Sequence, residues 1–296
     1  MTYADPASFL TPTDPLLVMT APERVNYATG VLLQAEDFRD EQTYHRSRLA
    51  KAMTYALGHG TLAGLAARAP EAEDNELHLR VEAGIALDRH GRLIELGEAW
   101  CTRLARWFAA QTTADLRSAI QRSPRTPLPV AVVADLFLSL ADCGRGKTPS
   151  FAQGPFDALD ALVPARLAEV PSLELVLRAE GPPGPIPTPA NHWPDASSPA
   201  EARLAAVLGA YALGEGEGVE GGLEPFAEHV GGHDPAAVLL ARVAIPVTLA
   251  ANAAAEVRPV LDLARRVQVD NTMRPFIFVP GKWLGAPARA VPVKEP

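Results

Sequence analysis

The chain has 296 residues and a formal net charge of −8 at pH 7. Without clustered Lys and Arg to neutralise phosphates, a nucleic-acid surface is not expected to be its main business. Hydrophobic residues make up 48%, the composition of a folded protein with one large domain or two modest ones, and two cysteines, Cys101 and Cys143, are too few for a disulfide scaffold, which makes a reducing cytosol the default compartment.

The segment 1–25 contains Pro6, Pro12, Pro15 and Pro22 and reads as an extended arm of the kind a neighbour orders. Its start is acidic and proline-broken, with no basic flank before an apolar run, so it does not read as a signal peptide. A helix is predicted over 35–57. Glu36 and Asp37 sit in its first turn, at the positive end of the dipole, and Gly58 and Gly60 stop it. One face runs Phe38, Gln42, His45, Leu49, Ala52, Met53 and Ala56, apolar at its ends and polar in the middle. A helix buried in an ordinary core rarely places Gln42 and His45 there without partners.

Short strands are predicted next. Residues 62–67 form one, and Leu77, Leu79 and Val81 alternate with His78, Arg80 and Glu82, the period of a half-buried strand. Residues 83–87 continue it after a glycine break. Asp88-Arg89-His90-Gly91 is a turn with Gly91 available for positive φ, and 92–96 returns as the second strand of a hairpin. A second helix is expected over 107–121. The apolar run 130–140 reads as a central strand and 172–179 as another, separated by a loop holding Pro149, Pro155 and Pro164. Proline-dense 180–199 is a loop; 199–213 is a third helix with Ser198 as N-cap. Glycine-rich 214–232 is a loop, 236–247 a strand, and 264–269 closes the sheet. The most apolar window, 236–255, is interrupted by Arg242 and Pro246, so no direct membrane insertion is expected. Phe276, Phe278 and Trp283, set among prolines, are expected to be exposed and to mark a docking tail.

The pattern predicts an α+β, β-rich fold of antiparallel, sandwich-like sheets with a long N-terminal helix and inserted helices. No strand–helix–strand rhythm supports a doubly wound sheet. The organisation read from it is an arm over 1–25, a helix plus β shoulder-like domain over 26–125, a β-rich body over 126–271 and a tail over 272–296.

Nothing in the sequence reads as catalytic apparatus, and no enzyme activity, metal or cofactor is expected. Gly146-Lys147-Thr148 follows a strand, but the first glycine of a phosphate loop would fall at Ala141, and Pro149 and Pro155 block the helix that must follow; an exposed turn is the reading. His229 and His233 have ligand spacing with Asp234 beside them, yet Val230-Gly231-Gly232 is a poor helix and the set is short of ligands, so a solvated loop is expected. Cys143 has no sequence-apparent base, and Cys101 lies in a predicted strand.

The segment 26–96 resembles a motif of proteins encoded beside phage-tail-like contractile systems. Tyr27, Gly30, Leu32, Leu33, Asp37, Phe38, Glu41, Gln42, Tyr44, His45 and Arg48 match its first part. Gly60, Gly64 and Leu65 match its glycine step, and Gly84, Ala86, Leu87, Asp88 and Gly91-Arg92 its later strand and turn. The pattern is similar to the N-terminal region of the type VI secretion baseplate adaptor and, more loosely, to the shoulder domain of phage receptor-binding proteins. Looser matches fall at 138–143, 164–169, 239–243 and Asp270-Asn271. Gln34 departs from the family's Ser or Thr cap, which weakens the helix start.

The resemblance implies a structural role: a baseplate component or fibre-attachment adaptor, commonly a homotrimer, in the cytoplasm and assembled into a contractile particle. Its implied partners are further copies and other baseplate, sheath or fibre proteins. The candidate interface is Leu32, Leu33, Phe38, Gln42, Tyr44, His45 and Leu49, with Phe276, Phe278 and Trp283 as a second contact. A helix face with a polar middle suits pairing across a symmetry axis; the alternative is a helix lying on its own sheet. A rival reading is a carbohydrate-binding or hydrolytic β-sandwich module, in which Trp100, Trp107 and Trp193 converge with Asp88 or Glu98.

Overall fold

The computed structural model describes residues 16, 23–71, 76–121, 130–149, 162–178, 198–199, 201–202, 204–206, 228–249 and 257–277. Most of the predicted arm, the loop 180–197, Trp193, Phe278 and Trp283 lie outside the described residues. The fold is α+β and β-rich, with a long N-terminal helix followed by antiparallel sheets.

Helix α1 (Ala35–Leu57) has the predicted bounds. Its weak Gln34 cap is compensated, because the Asp37 carboxylate accepts the Gln34 backbone N–H at 2.7 Å. At the other end Gly58, at φ +78, donates its N–H to the Thr54 carbonyl at 2.8 Å. The helix is 23 residues long, about 35 Å at 1.5 Å per residue.

Two three-stranded antiparallel sheets follow. One has the order β1 (Gly60–Gly64), β4 (Gly84–Leu87), β5 (Leu93–Leu96); the other the order β2 (Ala67–Arg68), β3 (His78–Val81), β6 (Trp100–Arg103). The single strand expected over 62–67 is therefore two, divided where Leu65 takes φ +59. Alternation works as read: Leu79 and Val81 point inward and Arg80 outward, and Ile94 and Leu96 face in while Leu93 and Glu95 face out. The one helix expected over 107–121 is also two, α2 (Leu104–Ala110) and α3 (Thr113–Ser118). Thr112 makes the break by capping α3, its hydroxyl accepting the Asp115 N–H at 3.1 Å. Strand β7 (Ile120–Gln121) then runs antiparallel to the body's main strand.

That main strand is β8 (Ala131–Arg145), longer than expected. It lies between β11 (Arg166–Leu177) and β12 (Val238–Thr248). Beyond residue 140 the β8–β11 pair continues as a largely exposed ribbon, extended by β9 (Thr148–Pro149) with β10 (Leu162–Val163). Strand β13 (Val260–Leu261), which the sequence reading did not contain, and β14 (Gln268–Asp270), the expected closing strand in shortened form, both pair with β12. Of the third predicted helix, residues 201–202 and 204–206 are described and are helical.

One apolar core runs through shoulder and body, joining Leu79, Ile94, Leu104 and Phe108 to Val132, Leu136, Leu240 and Ile245. Val132, Ala134, Leu136 and Leu138 of β8 face it; by alternation Asp135 and Phe137 face the opposite side. Asp135 is fully buried there. Arg242 holds it bidentately, Nε to Oδ1 at 2.7 Å and Nη2 to Oδ2 at 2.9 Å, and Arg178 Nε lies 3.3 Å from Oδ2. Asp135→Ala removes the carboxylate that Arg242 grips and leaves Arg178 only Glu228, so it should cost about 3–5 kcal/mol in urea unfolding. A loss under about 1 kcal/mol would show the carboxylate is not what holds β8, β11 and β12 in this arrangement.

Candidate assembly surface

Helix α1 is anchored at few points. Ala50 is its one buried residue. It sits on the β4–β5 turn at Gly91, where a Cβ would come within 2.1 Å of the Ala50 carbonyl oxygen and 2.6 Å of Thr54 Oγ1. Gly91 also has φ +78, so glycine is required there twice over. Asp88 builds the turn that presents it. Its carboxylate accepts the backbone N–H groups of His90 and Arg92, each at 2.9 Å, and the Arg92 Nε–H at 2.7 Å. A second tie joins Arg46 Nη2 to Glu169 Oε1 of β11 at 3.2 Å, on the surface.

On the side of Ala50 lie half-buried Thr43, Arg46, Ser47, Met53, Thr54 and Leu57, at three- and four-residue spacing; Glu41 and Tyr44, also half-buried, lie further round the helix. The predicted face lies outward. Phe38, Gln42, His45, Leu49, Ala52 and Ala56 are all exposed, and Met53 borders them half-buried. Phe38 keeps 53% of its surface and Leu49 64%.

The other predicted residues fall around this stripe. Leu32 is 85% exposed just before the helix and Leu33 is half-buried. Tyr44 flanks the stripe, its ring edge-on to His45 with centroids 5.4 Å apart and the Arg48 guanidinium 5.5 Å from its centre. His45 Nε2 lies 3.6 Å from Glu41 Oε1. Three exposed apolar residues were not among those predicted: Tyr27, Val31 and Tyr55. Tyr27 belongs to the motif, while Val31 and Tyr55 fall outside the periodic face and carry no signal in sequence.

Phe276 does not have the expected exposure. It is 5% exposed and docks on its own chain. Thr61 donates its N–H to Pro275 O at 2.9 Å, and Ile277 donates to Thr61 O at 3.3 Å, a parallel bridge that places Phe276 beside β1. Gly60 permits this approach, since a Cβ there would meet Pro275 O at 2.7 Å. Upstream, the Asn271 side chain accepts from Ala67 N–H at 2.8 Å and donates to Ala67 O at 2.9 Å. Arg274 Nη1 donates to Gly64 O at 2.7 Å. The stretch 271–277 thus seals β1 and β2.

Of the residues of the rival reading, Trp193 lies outside the described residues. Asp88 is buried in its turn, and Trp107 donates its Nε1–H to Leu175 O at 3.1 Å. Trp100 and Glu98 are exposed near β6. His229 and His233 do not lie in a solvated loop. Both rings pack on Phe137, with centroids 5.0 and 4.4 Å away. Cys101 and Cys143 are free and exposed. Among the described residues no helix is long and apolar enough to cross a membrane.

Gly91→Val combines a left-handed φ, costing about 1–2 kcal/mol for a side-chain-bearing residue, with a collision against Ala50. Hydrogen exchange should rise along α1 while β8 and β12 keep their protection. Unchanged exchange in α1 would show that Gly91 is not the anchor.

The chain matches no protein-family model and no curated protein sequence.

Proposed function

We propose that this chain is a non-enzymatic structural protein of a phage-tail-like contractile injection system, a baseplate component or fibre-attachment adaptor, acting as a homo-oligomer. A trimer is the state implied by the motif over 26–96. The observation that carries the reading is the outward stripe of α1. Leu32, Phe38 and Leu49 remain in water although each contributes about 1.5–3 kcal/mol when fully buried, and Gln42 and His45 lie between Phe38 and Leu49.

The occupant of this stripe is α1 of another copy. Around a three-fold axis the stripes of the copies meet, with Phe38 and Leu49 packed against those of the other copies and Gln42 and His45 able to hydrogen-bond at the axis. Lone polar groups on a one-sided apolar interface would lose their water without replacement. The exposed β8–β11 ribbon is then left for other baseplate, sheath or fibre proteins.

Phe38→Asp puts a carboxylate into that contact without touching the inward side of the helix. Multi-angle light scattering should show monomer mass, with the circular dichroism of the wild type retained; a variant that keeps the oligomer mass would overturn the α1 contact. The particle assignment has its own test. Electron microscopy of the product of the native gene cluster should show contractile particles that fail to assemble when this chain is deleted, and normal assembly would sink the assignment.

A further inference from the structure

We infer that one face of the β8–β11 ribbon is a docking surface for an acidic segment of a partner protein, whose carboxylates are gripped by Arg145 and Arg166. The two strands stay in unbroken antiparallel register from Ala134 opposite Leu177 to Arg145 opposite Arg166. Opposed residues in such a ladder put their side chains on the same face, and successive rows alternate between faces. The register therefore creates two pairs of like charge, three rows apart and on opposite faces. Asp142 stands opposite Glu169, and Arg145 stands opposite Arg166. Directly opposed Cβ atoms lie about 4.5–5.5 Å apart, so each pair repels itself.

The acidic pair is answered from within the chain. It lies on the side of α1, where Arg46 Nη2 reaches Glu169 Oε1 at 3.2 Å. The basic pair has no such answer. Both arginines are exposed, and among the described residues neither makes an ion pair or a side-chain hydrogen bond. Nor do they sit at a loose end. Just beyond them Ala165 donates its N–H to Gly146 O at 3.4 Å, and the ribbon resumes with Thr148 opposite Val163. The ladder thus holds two unneutralised guanidinium groups side by side before any partner arrives.

The charge is local. Segments 143–149 and 162–168 carry Arg145, Lys147 and Arg166 with no Asp or Glu, in a chain of net charge −8. Paired guanidinium forks match carboxylates, each of which accepts two parallel N–H bonds. The next two rows on the same face are Cys143 opposite Ala168 and Ala141 opposite Val170. Their short side chains let a peptide backbone pass close to the ribbon. A nucleic acid fits less well, because its phosphates recur about every 3.4 Å along a strand and three cations leave most of them unpaired. The inference rests on the assembly reading for the existence of a partner protein. It concerns a different surface from the α1 stripe, so either can fail alone.

Fluorescence anisotropy of the full chain with a fluorescein-labelled hexaglutamate peptide should show saturable binding in about 50 mM salt that fades toward roughly 500 mM. Replacing both Arg145→Gln and Arg166→Gln should weaken binding by at least about tenfold. Circular dichroism should stay that of the wild type, because both side chains stand in water. Lys51→Gln removes an exposed cation from α1 instead and should leave binding unchanged. Arg166→Glu gives the sharper reading. It sets opposite charges across the ladder, so hydrogen exchange over 141–146 should slow while peptide binding is lost. No binding by the wild type, equal loss in Lys51→Gln, or binding that survives the arginine variants would each overturn the docking surface. Single-stranded DNA of about 20 nucleotides binding more tightly than the peptide through the same arginines would also overturn it, in favour of a nucleic acid. Failure of the assembly reading appears in oligomer mass and particle assembly, whereas failure of this surface appears in peptide binding.

Discussion

The carbonyl of Ala50 reaches the β4–β5 turn only because residue 91 has no side chain, and the position of α1 follows from that approach. A single close contact fixes distance but not direction. Direction comes from the turn itself, whose shape is set by Asp88 accepting two backbone N–H groups and the Arg92 guanidinium. Charge-assisted bonds of this length, shielded from water, leave the turn few alternatives. The turn then decides which side of the helix lies against the protein. With Ala50 held inward, residues 38, 42, 45, 49, 52 and 56 lie about 80–160° round the helix from it, at about 100° per residue, and all are exposed.

The shoulder that carries this turn is not free to move on the body. Its inward residues share one core with β8 and β12. From the far end of the described chain, Asn271 pairs with both backbone groups of Ala67 while Pro275 and Ile277 extend β1. Helix α2 is bound in similarly, with Trp107 bonded to β11 and Arg258 donating to the carbonyls of Phe108 and Gln111 at 2.6 and 2.7 Å. Contacts distant in sequence thus make a rigid base under a helix that is itself barely packed.

What was legible in the sequence was what short-range rules decide. Acidic residues at the start and Gly58 at the end gave α1 its bounds, the Asp-to-Gly turn gave the β4–β5 hairpin, and the apolar run gave the central strand. The outward stripe was legible as a phase, because a face with Gln42 and His45 in its middle is a poor core face. The anchor opposite it was not: nothing local marks Gly91 as the partner of Ala50. In sequence Thr112 reads as one more helical residue, because a cap is recognisable only by the bond it makes. Phe276 and the two histidines were misplaced for a shared reason. Proline-rich and glycine-rich surroundings suggest solvent, and neither β1 beside Phe276 nor Phe137 beneath the histidines can be read from neighbours in sequence.

Helix α1 also poses an energetic question that packing within the chain does not answer. Helices in folded proteins draw most of their stability from packing one face, and here a 23-residue helix buries Ala50 alone. Surface pairs do not replace that. The Glu36–Arg39 contact is 3.9 Å long and the Glu41–His45 contact 3.6 Å, and pairs of this kind contribute about 0.2–0.5 kcal/mol each. In the proposed contact with another copy, burial of Phe38 and Leu49 would supply several times more. The same stripe that leaves α1 under-packed in one subunit is therefore the largest reserve of stabilisation it has. Gln42 and His45 then limit where that reserve can be used, because only a surface offering them partners avoids the cost of drying them. A plain apolar groove fails that condition, whereas a copy of the same face meets it.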